Sequence, residues 1–556
     1  MAQQGQAAGY YNAPPQGYSQ YQPPPGPPQQ NYQQNYQQNG QQYQMGPPQG
    51  YPPPQQEQYD GNKYSQNPPT YGDNFVAPQD DKQSFQDTFK IQKPKWNDLW
   101  AGILLIAVFL GFVAVSGVSL YRYSRYHSFN GGGIYGSSND FGLNTNALVL
   151  LVFVLVVAFA LSWGYFLAAR AFTKQFIWIT GILNCVMAVG TAVYYLYRHL
   201  WGAGIVFALF AVFAIFCFIS WIPRIPFAVV MLQQAQDVAR MKRVHVFTVS
   251  FIGGVVAIAF GAWFSCTLVG VYAAYEPSNG NANANPACTQ LGGCSSGRVI
   301  GLIVFITFAG YWITEFIKNT IHTIIAGVYG SWYFCAGKPG GIPKGATMGA
   351  FKRATTYSFG SISLGSLIIA IINMLRQACS IAQSQQQQDG NIVGVIFFCC
   401  LQCLIGILQW AVEFVNRYCF AHIALYGKAY FPAAKDTWKM MKDRGLDALV
   451  NDCLTGPVLS MGSVFVAYVC ALLSYLYLEF TNPAYNEGRT FTPVIMAFSF
   501  LIGLQTCQIF MTPISSGIDT IFVAMGWDPD IAAREHPEFW QKLVHVYPHV
   551  QDVIHA

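Results

Sequence analysis

Charge is what this chain has least of: 10% of its 556 residues are Asp, Glu, Lys or Arg, against about 25% in a typical soluble domain. With 53% hydrophobic residues beside that figure, a water-soluble globular fold is excluded as the main state of the polypeptide. The first 88 residues lack almost all aliphatic side chains and carry no charge before Glu57. They consist of Gln, Pro, Gly, Tyr and Asn, as in GYYNAPPQGYSQYQPPPGPPQQNYQQNYQQ. A segment with so little apolar surface cannot offset the entropy lost on ordering, so a disordered Gln/Pro/Tyr-rich tail is expected over 1–88. A basic start followed by a short apolar core is also missing, which argues against a secretory signal and leaves the first apolar helix to direct insertion.

Other absences narrow the function. Without a GxxxxGK[ST] loop an ATP-driven pump is not expected. No His/Asp/Glu cluster has metal-ligand or acid–base spacing, so neither an enzyme nor a metal or cofactor site is expected. No basic patch is interleaved with aromatics in the manner of a nucleic-acid surface, and no nucleic-acid partner is expected.

What is present, from Trp96 onward, is a series of apolar runs long enough to cross about 30 Å of hydrocarbon, which takes roughly 20 helical residues. They fall near 99–121, 146–168, 175–197, 201–222, 246–275, 299–326, 357–378, 391–415, 456–478 and 493–524. The expected fold is all-α: a polytopic membrane helix bundle of about ten transmembrane helices spanning residues 89–530, followed by a C-terminal tail over 531–556. An even number of spans puts both termini on one side. The loops on that side carry most of the Lys and Arg, from Arg170 and Lys174 to Lys442 and Arg444, whereas the opposite loops hold Arg122, Arg125, Arg198, Arg298, Arg376 and Arg489. By the positive-inside rule the termini are expected to be cytoplasmic.

Four local features follow from this topology. Cys288 and Cys294 share a polar loop expected outside, where a disulfide can form. Cys399, Cys400 and Cys403 sit in an apolar run where a small soft side chain packs. Residues 225–241 mix apolar and polar positions at helical spacing, as in a helix lying along the inner membrane surface. In the tail, Pro68-Pro69-Thr70-Tyr71 matches the PPxY pattern that WW domains bind as a preformed polyproline helix. A WW-domain ubiquitin ligase docking there could modify Lys63, Lys82 or Lys90.

Ionised residues inside the apolar runs are the candidate functional groups, because each costs roughly 2.5–3.5 kcal/mol at a helix centre and therefore hides from lipid. Tyr311, Glu315, Lys318 and His322 follow offsets of a single helix face. Either Glu315 and Lys318 neutralise each other and lock helix packing, or the carboxylate with the rings of Tyr311 and Trp312 attracts an organic cation. A second set, Trp410, Glu413 and Arg417, shares a face of the eighth run: an interfacial Glu–Arg pair, or an inner gate with a substrate contact. In the last run Asp519 follows Pro513, which can break a helix and free carbonyls beside a pathway. Gly360 and Gly365 are small enough to let helices approach closely.

Four runs carry a resemblance: GVYGSWYF (327–334), SFGSISLGSLI (358–368), FVNRYCFAHIALYGKAYFPAAKD (414–436) and PISSGIDTIFVAMGWDP (513–529). Together with the Gln/Pro/Tyr-rich start, they resemble the choline transporter-like family in its fungal, pH-nine-sensitive branch. The resemblance implies a ten-helix plasma-membrane protein with cytoplasmic ends, associated with uptake of choline and related amines. Two departures stand out: the first outer loop, 122–145, is far shorter than in the animal members, and the outer loops hold no N-x-Ser/Thr sequon. Three classes of function remain open, namely a secondary carrier for a small organic cation, a channel or lipid-moving protein, and a scaffold or sensor acting through its tail.

Overall fold

The computed structural model describes residues 95–550 apart from 127–144, 198, 200, 242–243, 276–294, 338–339, 444–454, 484–491 and 549. The N-terminal tail with its PPxY motif, and the loop bearing Cys288 and Cys294, lie outside the described residues. In chain order the helices are α1 (Leu99–Tyr126), α2 (Thr145–Ala171), α3 (Thr173–Tyr197), α4 (Trp201–Trp221), α5 (Ile225–Ala239), α6 (Val246–Tyr275), α7 (Ser296–Cys335) and α8 (Ala346–Thr355). They continue as α9 (Phe359–Gln388), α10 (Ile392–Tyr426), α11 (Tyr430–Asp443), α12 (Thr455–Thr481), α13 (Thr492–Trp527), α14 (Pro529–Glu535) and α15 (Pro537–Val546). No strand occurs among the described residues.

Every predicted apolar run coincides with one of these helices. Among the described residues nine are long and apolar enough to cross a membrane, the stretch Gly204–Ala239 counting as one, while the apolar part of α2, Phe153–Ala168, is shorter. Caps set several ends. The Ser295 side chain accepts from the Arg298 N–H to start α7, and Asn391 accepts from Gly394 to start α10. Gly427 closes α10 in the left-handed region at φ 62°, a conformation glycine enters without a Cβ penalty.

The helix of 40 residues, α7, is the axis: it packs against α1, α6, α8, α9, α10 and α13. The main core gathers the ends of α7, α10 and α13 that lie at the face where α1 begins, here the amino-terminal face. Trp332, Tyr329, Tyr333, Phe420, Ile514 and Ile521 are buried there, with Met231 and Leu232 of α5. The outer parts of the bundle are greasy and uncovered. Leu209, Phe210, Val212, Phe213 and Phe216 of α4 and Ile392, Val393, Ile396, Phe397 and Leu404 of α10 are exposed, as suits side chains solvated by acyl chains.

Two regions differ from the sequence expectation. The 225–241 segment does form a helix, but its apolar side faces protein: Phe227, Ala228, Met231, Leu232, Ala235 and Val238 are buried, Phe227 stacks on Tyr547 at 5.1 Å, and Ala235 O accepts from the Tyr329 hydroxyl at 2.6 Å. Helices α3 and α13 and the segment beyond 530 supply that cover. Phe539 and Leu543 of α15 and Val550 enter the main core, and His536 lies over Trp332 at 4.2 Å between ring centroids.

Candidate functional site

Three helices carry the ionisable candidates: along α7, His322 comes level with Arg417 and Asp519, and Glu315 lies about 10 Å further from the amino-terminal face. Glu315 stands at the midpoint of α7, and Arg417 and Asp519 lie roughly 40 Å from the opposite ends of α10 and α13 at 1.5 Å rise per residue. Arg417 binds Asp519 with both oxygens, Nε to Oδ2 at 3.0 Å and Nη2 to Oδ1 at 2.8 Å. The Asp519 side chain is 3% exposed and that of Arg417 43%. His322 sits in the same junction: a backbone carbonyl can only accept, so Nε2–H donates to Arg417 O at 2.9 Å, and Nδ1 accepts from the Ser516 hydroxyl at 2.6 Å. One imidazole thus ties α7 to both α10 and α13. Pro513, less than two turns before Asp519 in α13, removes the N–H that the Ile509 carbonyl would otherwise meet.

The stripe on α7 divides. Lys318 Nζ lies 3.3 Å from Glu315 Oε2, an i, i+3 pair as the spacing allows. Tyr311 is half-buried at the edge of the second core cluster. Trp312 is fully buried and donates from Nε1 to Ser363 O of α9 at 2.9 Å, so its ring packs between helices.

On α10 the grouping is likewise rearranged. Glu413 accepts from Gln409 Nε2 at 2.9 Å, and Gln409 Oε1 accepts from Arg376 of α9 at 3.1 Å. Arg417, which helical spacing places next to Glu413, reaches across to Asp519. Trp410 is 66% exposed and stacks on Phe414 at 5.9 Å, which in turn meets Tyr418 at 5.1 Å edge-on.

Around this junction the helices are also joined by hydrogen bonds that helical periodicity did not reveal. Asn319 Nδ2 donates to Ser366 Oγ at 2.9 Å, Asn416 Nδ2 to Gly365 O at 3.2 Å, and the Tyr430 hydroxyl to Asn416 Oδ1. Asp98, in the left-handed region at φ 49°, accepts from the Ser361 hydroxyl at 2.6 Å and the Tyr430 N–H at 2.8 Å. The only hint in the sequence is a lone acid, Asp98, at the head of the first apolar run. By contrast Gln505 and Gln508 of α13, on the other side of the Arg417–Asp519 pair, are exposed. Exposed amides at membrane depth need water or a polar solute.

Among the described residues no group of three or more His, Cys, Asp and Glu is placed to hold a metal ion. The site therefore offers fixed charges and hydrogen-bonding groups: two paired carboxylates on α7 and α13, one amide-held carboxylate on α10, and an exposed aromatic beside it.

The family model described as plasma-membrane choline transporter matches residues 205–530. The chain is 60% identical over 555 residues to a protein named pns1 of Aspergillus fumigatus, covering 99% of each. It is 59% identical over 474 residues to PNS1 of Gibberella zeae, covering 85% of this chain and 86% of that one. With PNS1 of Saccharomyces cerevisiae it shares 40% identity over 473 residues, covering 84% and 87%. A chain matched across most of its length and over its membrane-spanning helices in this way belongs to the choline transporter-like family.

Proposed function

We propose that this multi-pass membrane protein is a plasma-membrane secondary carrier for a small organic cation such as choline or a related amine. The observation that carries the reading is Asp519, a buried carboxylate held by Arg417 at the junction of α7, α10 and α13. It lies roughly three to four helical turns along α13 from the exposed Gln508 and Gln505. An arriving cation would meet Glu413, Glu315 and the Trp410 ring first, where charge and cation–π attraction favour it. Breaking and remaking the Arg417–Asp519 and His322 links would then let α10 and α13 part, exposing the site alternately on the two sides. Both termini are assigned to the cytoplasm on the loop charge bias. The tail is assigned a WW-domain ubiquitin ligase at Pro68, Pro69 and Tyr71, which would control abundance.

The test is uptake of labelled choline and ethanolamine into liposomes holding the purified protein. Saturable flux that accelerates when unlabelled amine is preloaded supports the carrier, and Asp519→Asn should cut it at least tenfold at equal reconstitution. Flux that rises linearly with concentration, or none for any amine, sinks it. The exposed Gln505 and Gln508 also fit a channel or lipid-moving path, and that second reading predicts the linear outcome or movement of labelled lipid.

A further inference from the structure

Helix α11 is amphipathic in an uncommon way. Its buried side, Tyr430, Ala433, Thr437, Met440 and Met441, packs on α9, α10 and α13. The outward side is not simply polar: Phe431 is 62% and Trp438 46% exposed. Lys435, Lys439 and Lys442 are exposed with them. At about 100° per residue, Phe431, Lys435, Trp438 and Lys442 fall in an arc of roughly 60°, with Lys439 on its flank and both acids, Asp436 and Asp443, outside it.

Charge on the arc is uncompensated. Asp436 is taken by Lys428 at 2.8 Å, and among the described residues none of Lys435, Lys439 and Lys442 pairs with a carboxylate. Lys442 Nζ instead lies 5.2 Å from the Trp438 ring centroid. Helix α8 repeats the pattern: Ala346, Ala350 and Ala354 are buried, while Met348, Phe351 and Lys352 are exposed.

Position selects the occupant. Helix α11 follows the membrane-spanning α10 after Gly427–Ala429, and α8 precedes the membrane-spanning α9. Asp98 seats the starts of α9 and α11 together. Both helices therefore lie at the amino-terminal end of the hydrocarbon, where aromatic rings and lysines meet headgroups. Aromatic rings alternating with unpaired lysines, free of acids, are complementary to a phosphate-bearing, negatively charged lipid surface.

We propose that the exposed arc of α11, assisted by α8, binds the headgroups of anionic phospholipids in the leaflet at the amino-terminal face. This fixes α11, and through Tyr430 it steadies the closed end of the bundle. The idea is independent of which solute, if any, the protein carries.

The experiment uses the intact protein in nanodiscs of phosphatidylcholine alone or with phosphatidylserine. Wild type should unfold at a higher temperature with phosphatidylserine and retain it in native mass spectra. Lys435→Gln/Lys439→Gln/Lys442→Gln should lose that rise and bind phosphatidylserine at least tenfold more weakly. Lipids brominated near the glycerol should quench wild type more than Trp438→Phe. The proposal is overturned if the triple variant keeps the wild-type rise, if wild type shows no rise, if Trp438 contributes nothing to the quenching, or if inorganic phosphate alone reproduces the effect.

Discussion

At the residue scale the Arg417–Asp519 pair is asymmetric. Removing Arg417 strands a carboxylate that is 3% exposed, whereas removing the Asp519 charge leaves a cation that is partly in contact with solvent. Arg417→Gln should lower stability by about 3 kcal/mol, and Asp519→Asn by clearly less, read as melting temperatures of the detergent-solubilised protein. Arg417→Met combined with Asp519→Leu should recover most of the loss, because the unpaired buried charge is then gone. Local spacing in the sequence was enough to foresee the Glu315–Lys318 contact, since i, i+3 neighbours meet on any helix. It could not foresee Arg417 with Asp519, because nothing local encodes a partner 102 positions away. The same limit hid the role of Asp98, whose partners are Ser361 and Tyr430.

At the element scale the start of α9 shows what small residues permit. A Cβ on Gly360 would collide with the backbone oxygens of Asn97 and Asp98, and one on Gly365 would come within 2.6 Å of Phe420 and Tyr430 side-chain atoms. Backbone yields less readily than a ring. Gly360→Ala should therefore cost about 1–3 kcal/mol and lower the melting temperature more than Gly365→Ala. The glycines were legible in the sequence as close-approach positions, but not the elements that approach.

The C-terminal helices were not legible at all as docked structure. Phe539, Trp540 and Leu543 are too few to signal a span, and their partners sit on other elements. His536 gives this docking a pH dependence. Burial pushes its imidazole below the ordinary value, against smaller opposing effects of its hydrogen bond to Tyr333 O and of Glu535. Once undocked, the ring regains a pKa near 6.5, so the undocked form takes up the proton first. Docking is then at full strength above about pH 6.5 and weakens as pH falls below it. Hydrogen exchange over 529–546 should be faster at pH 5.5 than at pH 7.5, and His536→Gln should flatten the difference.

At the scale of the whole molecule the two ends are built differently. The amino-terminal end is closed by buried Tyr, Trp and Asn side chains, while glutamines are exposed along α13 toward the other end. A polar thiol reagent added from the opposite face, in a background without reactive cysteines, should modify Gln508→Cys at least tenfold faster than Ser366→Cys. Equal rates would mean that the closed end is not closed. The series of spans was legible because acyl chains tolerate little but apolar residues over about 20 positions. Which end is sealed was not, because sealing rests on hydrogen bonds between helices rather than on hydropathy.

The Asp98 carboxylate has a mechanical corollary. Any load placed on the chain ahead of Trp96 passes through the Trp96–Tyr357 ring contact and the Asn97 bonds to Tyr357 O and Gly427 O to Asp98, whose side chain seats the beginnings of two helices. A tug from a bound partner upstream would work like a drawstring, loosening α9 and α11 in one movement, and the bundle would register the pull without any solute present.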